Sequence, residues 1–490
     1  MEHSSPRAPT LIQALLPILF LMGLLATSVA LFGGDSSYGP NQIALLLAAC
    51  LAGIVGLRNG LSWSQIEDAF VQGVTMSTQA ILILLAVGSL IGTWMLSGAV
   101  PTLIYYGLKL MDPSWFYVAT CLVCAVVALA IGSSWTVAGT LGVALIAVAQ
   151  GLNVSPAITA GAVISGAYFG DKMSPLSDTT NLAPAAAGSE LFAHVRHMTW
   201  TTIPSLAIAM IGFAVLGVME TGAAAAQPEL GSLPQALAHQ FALGPHLLLP
   251  LLVVMVLAFK RFPAFPTILI GALLGGIFAA IFQPDLVVAR ANNAELSRGM
   301  ALLAGVWASL SDGYAGESGN PAVDELLNRG GMSSMLNTVW LAICAMAFGA
   351  VMERTGLLER LIRGVLGVAR STGSLIAATL GTAFGANVVA ADQYMAIVLT
   401  GRVYRPEYER RGLHPLNLSR ALEDAGTLTS PLVPWNTCGA YMAATLGVAT
   451  LDYLPYVFFN LANPIVAAIM AYAGFKILHL KPVAVVTHKA

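Results

Sequence analysis

The chain has 490 residues, of which 57% are hydrophobic and 9% are charged, and its mean hydropathy is +0.78. This composition excludes a soluble globular protein and predicts an all-α polytopic membrane protein. The formal net charge of −2 leaves no basic face to neutralise phosphates, which argues against nucleic-acid binding.

Apolar runs long enough to cross a bilayer recur along the chain. They lie near residues 10–32, 42–57, 77–96, 115–131, 199–218, 246–259, 267–282, 336–351 and 456–475. Shorter segments broken by glycine or proline lie between them, and together they predict about 11–13 membrane segments. Residues 1–10 lack the layout of a cleavable signal, so we expect the first run to be retained as the first helix.

The two halves of the chain resemble each other. IEDAFVQGVTMS at residues 66–77 corresponds to VDELLNRGGMSS at 323–334, and GSSWTVAGT at 132–140 corresponds to GANVVAADQ at 385–393. Ser-Pro-Leu occurs in both halves, at 174–176 and at 430–432. Offsets of about 253–258 residues indicate one duplicated unit, and this alignment places Pro434 opposite Asp178.

Basic residues indicate that corresponding spans run in opposite directions. The span at 77–96 follows Arg58, whereas the span at 336–351 ends before Arg354. Because basic loops stay in the cytoplasm, we expect both termini to be cytoplasmic and the duplication to have inverted topology. Inverted repeats with broken helices and re-entrant hairpins are typical of secondary transporters that work by alternating access.

The predicted organisation follows from these patterns. It comprises an N-terminal transmembrane helix at 1–41, a first repeat at 42–220 with a broken helix at 155–195, a linker and connecting transmembrane helix at 221–262, a second repeat at 263–480 with a broken helix at 420–446, and a cytoplasmic tail at 481–490.

The first polar interruption is GDKMSPLSDTTN at residues 170–181. It lies in a stretch of about 40 residues, too long for one span at ~1.5 Å per residue, in which Pro175 and Pro184 are expected to break the helix. Broken helices bring backbone carbonyls to the membrane midplane, where they are tolerated beside a cavity, and an oxygen-rich lining suits a hard cation. The candidate ion-binding residues of this half are Asp171, Ser174, Asp178, Thr180 and Asn181.

Asp178 is the strongest of these candidates because no basic residue lies within five positions of it. Asp171 is adjacent to Lys172, which can partly neutralise it, and the alternative role for Asp171 is a salt bridge to Lys172 or to another helix. A buried carboxylate that holds either a proton or a cation has the minimum chemistry for cation/proton exchange. The alternative role for Asp178 is a hydrogen bond that ties the broken helix together.

The second polar interruption is EDAGTLTSPLVPWNT at 423–437, preceded by an interrupted apolar stretch at 385–398. Its candidate residues are Asn387, Asp392, Thr427, Ser430, Asn436 and Thr437. Asp178 and Asp392 are the candidate Na+ ligands. Glu423 and Asp424 follow Arg420 closely, so a solvated or ion-paired helix start and a role in the site remain equal alternatives for them.

GAYFGDKMSPLSDTTNLA at 166–183 resembles the NhaC family of sodium/proton antiporters, within the broader ion-transporter superfamily, and EDAGTLTSPLVPWNTCGAYM at 423–442 supports the resemblance. The resemblance implies exchange of Na+ for H+ in the cytoplasmic membrane, with Na+ as transported ion and no other cofactor. It also implies the first-half candidates above and, in the second half, Asp392, Thr427, Ser430, Asn436 and Thr437. Other relatives exchange organic acids such as malate and lactate, or move amino acids with sodium, and such a carrier is the alternative function.

Two other functions are disfavoured. An intramembrane enzyme built on Asp171 and Asp178 would need a nucleophile or metal signature, which the sequence lacks, so we expect no enzyme. A channel would need a repeated ring of filter groups. The sequence leaves a homodimer open.

Overall fold

The computed structural model describes residues 7–33, 36, 38–224, 233–260, 262–316, 324 and 327–480. In this part of the chain the regular structure is helical, and the only extended pairing is an isolated bridge between Leu413 and His479. The predicted all-α membrane architecture is therefore confirmed. The tail predicted at 481–490 lies outside the described residues.

The first half of the chain forms nine helices. They are α1 (Leu11–Phe32), α2 (Pro40–Arg58), α3 (Trp63–Leu96), α4 (Ala99–Leu110), α5 (Pro113–Ile131), α6 (Ser134–Gly151), α7 (Pro156–Met173), α8 (Asp178–Ala187) and α9 (Leu191–Ala224).

The connecting segment and the second half supply the remaining helices. They are α10 (Leu233–Gln240), α11 (Leu249–Phe259), α12 (Ala264–Phe282), α13 (Pro284–Ala291), α14 (Arg298–Asp312), α15 (Leu336–Arg354), α16 (Leu357–Leu366), α17 (Thr372–Ala390), α18 (Gln393–Arg410), α19 (Pro415–Leu422), α20 (Thr437–Leu446), α21 (Thr450–Tyr453) and α22 (Phe458–Tyr472).

Nine of the described helices are long and apolar enough to cross a membrane, or ten if the bent pair Thr450–Tyr456 and Phe458–Tyr472 is one further span. Their outer faces are apolar: Ile12 on α1 is 80% exposed and Val218 on α9 is 68% exposed. Such side chains are stable at the surface only if lipid covers them. The broken segments α7–α8 and α19–α20 are additional to these spans.

Both predicted broken helices are present. α7 ends at Met173 and α8 begins at Asp178, so Ser-Pro-Leu-Ser separates them. Pro184, expected to break the helix, instead lies inside α8, where it removes one backbone donor from the helix. In the second half α19 continues into a π turn at Glu423–Thr427, and a 3-10 turn at Ser430–Leu432 precedes α20.

The helix starts fix the register between the halves. Ser134 and Gln393 begin α6 and α18, and Asp178 and Thr437 begin α8 and α20, with the same separation of 259 residues in both pairs. The alignment that placed Pro434 opposite Asp178 was therefore wrong by three residues. The alignment matched the two Ser-Pro-Leu tripeptides, but this tripeptide lies closer to the start of α8 than to the start of α20. The inverted orientation of the halves stays a prediction.

The broken helix α7 packs closely against α5 through glycines. A Cβ at Gly166 would lie 2.1 Å from the carbonyl oxygen of Cys121, and one at Gly170 would lie 2.4 Å from that of Ala125. Small residues of this kind let two membrane helices approach each other closely. This contact holds the end of α7, and therefore Asp171, in a fixed position.

Candidate functional site

A cavity of about 280 Å³ lies between the two halves. Three aspartates line it: Asp171 and Asp178 come from the first half and Asp392 from the second. The polar residues that line it with them are Ser77, Gln79, Ser133, Ser134, Ser177, Thr179, Gln393, Tyr394 and Thr437. No lysine, arginine or histidine of the described chain contributes to this lining, so the cavity is acidic.

Four helices begin at or beside the cavity, and each has a capping side chain. Ser133, Ser177, Asp392 and Asn436 cap α6, α8, α18 and α20. Their side-chain oxygens accept hydrogen bonds from amides of the first turn, as N-cap residues do. These capping side chains therefore already bind some of the unpaired N–H groups that make the helix starts positive.

Asp171 connects α7 to the start of α6. Its side chain is only 7% exposed, and its Oδ2 accepts hydrogen bonds from the backbone N of Ser134 at 3.1 Å and from Ser134 Oγ at 2.6 Å. Two donors hold the carboxylate in one orientation at the edge of the cavity. Lys172, its sequence neighbour, points elsewhere.

Asp178 is the first residue of α8 and is exposed to the cavity. No side-chain hydrogen bond or ion pair to it is found among the described residues, which distinguishes it from Asp171 and Asp392. A carboxylate in the first turn of a helix is stabilised by the helix dipole. Asp178 is thus the carboxylate most available to an ion that enters the cavity, and no intramolecular bond of its side chain ties the break together.

Asp392 caps α18 and also contacts α20. Its Oδ1 accepts from the backbone N of Met395 at 3.0 Å, and its Oδ2 accepts from Thr437 Oγ1 at 3.3 Å. The preceding residue, Ala391, has a left-handed φ of +57° and accepts a hydrogen bond from the backbone N of Thr437. A non-glycine residue in this conformation costs of order 1–3 kcal/mol, a strain often found at functional sites.

The other predicted residues of the first half lie outside the cavity lining and brace the break. Thr180 Oγ1 donates to the carbonyl oxygens of Asp171 and Lys172, at 3.1 and 3.0 Å. Ser174 Oγ accepts from the backbone N of Leu176, and Asn181 Nδ2 donates to the carbonyl of Pro175. These bonds satisfy backbone groups that the broken helix leaves unpaired.

The remaining residues of the second half have a similar arrangement. Asn387 Nδ2 donates to the carbonyl of Gly426 at 2.7 Å, and Asn436 Nδ2 donates to Asn387 Oδ1 at 3.2 Å. Ser430 Oγ donates to the carbonyl of Thr427 at 2.7 Å. All four of these predicted residues are fully buried and none lines the cavity.

Lys172 forms a salt bridge with Asp424, across the two halves, and not with Asp171. Both side chains are fully buried. Lys172 Nζ also donates to Asn463 Oδ1 at 2.9 Å, and Thr201 Oγ1 donates to Asp424 Oδ1 at 2.9 Å. For Asp424 a solvated helix start is excluded, because its buried side chain pairs with Lys172 and also lies 3.9 Å from Arg420 Nε.

Glu423 is a buried acid, for which the sequence left a helix start and a role in the site as equal alternatives. It is 0% exposed, and neither of its carboxylate oxygens has a hydrogen-bond partner among the described residues. The hydroxyl of Thr427 in the same π turn is also unpartnered. π turns inside helices are frequent at functional sites, but the sequence alone gives no sign of one here.

The candidate set also omitted most of the hydroxyl and amide groups of the lining. The sequence marks Ser133 and Ser134 only as part of the repeated segment at 132–140. Their position before an apolar helix is the N-cap pattern, which could have indicated a helix start facing the aspartates. Gln393 and Tyr394 follow Asp392 directly and reach the cavity with it.

A model of the Na+/H+ antiporter family matches residues 166–475, and a model described as C4-dicarboxylate anaerobic carrier matches residues 2–219. The chain is 40% identical over 433 residues to the Na(+)/H(+) antiporter NhaC of Alkalihalophilus pseudofirmus, covering 88% of this chain and 90% of that protein. It is 37% identical over 475 residues to the malate-2H(+)/Na(+)-lactate antiporter of Bacillus subtilis, covering 97% of each.

A third relative is the arginine/ornithine antiporter ArcD of Halobacterium salinarum, 36% identical over 487 residues, covering 98% of this chain and 96% of that protein. Among solved structures, the YdaH transporter of Alcanivorax borkumensis aligns at 13% identity with a TM-score of 0.37, covering 95% of this chain and 99% of that one.

Proposed function

Because the chain belongs to the Na+/H+ antiporter family, we propose that it exchanges Na+ for H+ across the cytoplasmic membrane by alternating access, with both termini in the cytoplasm. The observation that carries this proposal is the convergence of Asp171, Asp178 and Asp392 on one cavity. Carboxylate oxygens are ligands for a hard cation and also accept protons. One cavity can therefore hold either substrate, and each displaces the other.

Competition is the proposed basis of the exchange. Negative charges close together disfavour one another, so an empty cavity with three carboxylates binds a proton or a cation readily. Na+ bound at Asp178 and Asp392 stabilises the charged carboxylates and releases protons. Protonation from the other side of the membrane removes the charges that hold Na+. Asp178 is the proposed point of exchange between the two ions because its carboxylate makes no hydrogen bond or ion pair with the described residues.

The electrostatics of the cavity favour a cation over an organic anion. No basic side chain of the described chain lines it, and the one lysine near it, Lys172, is sealed in its salt bridge with Asp424. The helix starts that could attract an anion are capped. A carboxylate substrate would therefore meet three carboxylates without a counter-charge.

Alternating access requires the halves to move against each other around the cavity. Both halves supply its walls, and the indole ring of Trp135 on α6 stacks on Tyr441 of α20 at 4.1 Å between ring centroids. Tyr441 Oη also donates to the carbonyl oxygen of Trp135 at 2.8 Å. We propose that this contact closes one side of the cavity and separates when the opposite side closes.

A second candidate function is Na+-coupled exchange of a small organic acid. It is favoured by the cavity volume of about 280 Å³, which exceeds what one bare cation fills, and by the similarity to the malate/lactate antiporter. In that case Na+ bound by the aspartates would supply the counter-charge that the protein lacks. A homodimer stays a prediction.

Everted membrane vesicles that hold a pH gradient test the main proposal. Added Na+ or Li+ should dissipate the gradient with the wild type and with Asp452→Asn, an exposed acid outside the cavity, but not with Asp178→Asn. The Na+ concentration for half-maximal exchange should rise as pH falls, by up to about tenfold per unit if one proton competes. No response of the wild type to either cation would refute Na+/H+ exchange.

Uptake of labelled lactate, malate or arginine in the same vesicles separates the second candidate. Uptake that depends on Na+ and is lost in Asp178→Asn would favour organic-substrate exchange. No uptake, together with Na+-driven dissipation of the gradient, would leave the antiporter as the function.

A further inference from the structure

A second pocket, of about 880 Å³, lies where the ends of α1, α2, α3, α15 and α16 meet. Four arginines line it, Arg7, Arg354, Arg360 and Arg363, against a single acid, Glu359. We propose that this basic pocket binds the phosphate groups of an anionic phospholipid headgroup. The proposal is independent of the transported substrate.

The charge of the basic pocket is largely uncompensated. Arg363 pairs with Glu359 at 2.7 Å, and both side chains are more than half exposed. The other three guanidinium groups make no ion pair with any described residue. Arginine binds phosphate well because its planar guanidinium donates two parallel hydrogen bonds. Several such groups around one pocket repel one another until an anion fills it.

Neutral donors complete the site. Asn59, the C-cap of α2, is only 8% exposed, lines the pocket and has an Nδ2 without a hydrogen-bond partner among the described residues. Its Oδ1 accepts from Gln13 Nε2 at 3.2 Å, and its carbonyl accepts from the backbone N of Arg7 at 2.8 Å. The second bond anchors the Arg7 backbone beside the pocket. An unpartnered buried amide of this kind calls for an acceptor from a ligand.

The start of α16 faces the same pocket. Its N-cap is Gly356, with a φ of +71°, and no side chain caps the amides of the first turn. The ten-residue helix therefore directs free N–H groups and the positive end of its dipole toward the basic pocket. The start of α16, the guanidinium groups and the Asn59 amide all present N–H donors, and a phosphate oxygen can accept hydrogen bonds from each of them.

The position of the pocket favours a lipid over a soluble anion. It is framed by the ends of four membrane-crossing helices, and so lies at the depth of the headgroups. On α16, Leu358 and Ile362 are buried. Val368, just after the helix, is 77% exposed. Ile12 on α1 is 80% exposed. Acyl chains would cover this apolar surface while the headgroup fills the pocket.

The equivalent helix start in the first half lacks such a site. α4 begins after Gly98, with a φ of +78°, but there a Cβ would lie 2.7 Å from Gln283 Nε2. This side chain donates to the carbonyls of Ala242 and Ser97 and fills the space. Within the described residues the start of α4 therefore has no counterpart of the basic pocket, which lies at the end predicted to be cytoplasmic.

Lipid binding by the purified full chain tests the proposal. The delipidated protein in an uncharged detergent is titrated with cardiolipin, which has two phosphates, phosphatidylglycerol, which has one, and zwitterionic phosphatidylcholine, and bound lipid is counted by native mass spectrometry. We expect affinity in that order. Arg354→Gln/Arg360→Gln should weaken cardiolipin binding about tenfold or more, whereas Arg196→Gln/Arg370→Gln, two exposed arginines outside the pocket, should not.

Equal affinity for cardiolipin and phosphatidylcholine would overturn the lipid proposal, and so would unchanged cardiolipin binding in Arg354→Gln/Arg360→Gln. Thermal stabilisation by inorganic pyrophosphate, with none by cardiolipin, would overturn it as well and would identify the ligand as a soluble anion. If Arg354→Gln/Arg360→Gln does not fold, cardiolipin binding is measured with Asn59→Asp instead. This variant keeps every arginine and places a carboxylate against the phosphate. Cardiolipin binding as tight as that of the wild type would then exclude this pocket.

Discussion

The two sides of the cavity have the same backbone plan but place their carboxylates differently. In the first half a serine, Ser133, caps α6 and an aspartate, Asp178, begins α8; in the second half an aspartate, Asp392, caps α18 and a threonine, Thr437, begins α20. Acid and hydroxyl have exchanged positions. The two halves thus share the order of these helix starts, while the charge at each start differs.

A second pair of equivalent contacts shows the same difference. Ser134 Oγ donates to the Asp171 carboxylate at 2.6 Å, and at the corresponding positions Ser430 Oγ donates to Gln393 Oε1 at 3.4 Å. The first half therefore contributes two acids to the cavity and the second half contributes one. The two halves share the geometry of the helix starts but differ in where their carboxylates lie. Four experiments test how much these charges contribute.

The largest effect is expected at the buried ion pair that joins the halves. Asp424→Asn leaves Lys172 as an uncompensated charge in the interior and should destabilise the protein by about 3–5 kcal/mol. Thermal unfolding in detergent, followed by intrinsic fluorescence, measures this. Glu409→Gln, which breaks an exposed pair with Arg405, should cost less than about 1 kcal/mol. Equal losses of stability in Asp424→Asn and Glu409→Gln would contradict a buried ion pair between Lys172 and Asp424.

Asp392→Asn should lower the apparent affinity for Na+ in vesicles by about two orders of magnitude, because a lost charge interaction of ~3 kcal/mol corresponds to that factor. The variant keeps the shape of the helix cap, so stability should change little. Asp452→Asn serves as the matched control. Wild-type Na+ affinity in Asp392→Asn would show that the second half contributes only neutral oxygens.

Exchanging the residues of the two caps tests whether the number of acids or their position matters. Asp392→Ser should abolish most exchange, and adding Ser133→Asp restores three cavity carboxylates, since aspartate and serine are both good caps. We expect the double variant to recover about tenfold in rate over Asp392→Ser alone. A double variant as inactive as the single one would mean that the acid must lie on α18.

The smallest effects are expected at the two hydroxyls that contact carboxylates. Ser134→Ala removes the 2.6 Å bond to Asp171, and Thr437→Val removes the 3.3 Å bond to Asp392. Because the shorter bond is the stronger, we expect a loss of about five- to tenfold in Na+ affinity for Ser134→Ala and of no more than about threefold for Thr437→Val. The reverse order would mean that the length of the hydrogen bond to the carboxylate does not set its effect on Na+ binding.

Much of this molecule followed from the sequence. Apolar runs of bilayer length dictate a helical membrane protein, and prolines, glycines and acids inside them dictate breaks at the predicted places, because unpaired backbone and charge are excluded from lipid. Asp171, Asp178 and Asp392 were candidates by the same reasoning, and all three line the cavity.

Only the tertiary structure decided which polar groups face the cavity and which brace it. Thr180 has the same hydroxyl as Thr179, and Asn387 like Thr437 has a neutral oxygen, yet Thr180 and Asn387 bond to backbone carbonyls, since a broken helix must satisfy its own unpaired groups. Lys172 is adjacent to Asp171 in sequence but pairs with Asp424, 252 positions away. Successive helical residues point in different directions, so partners are set by packing between helices, which the local sequence does not encode.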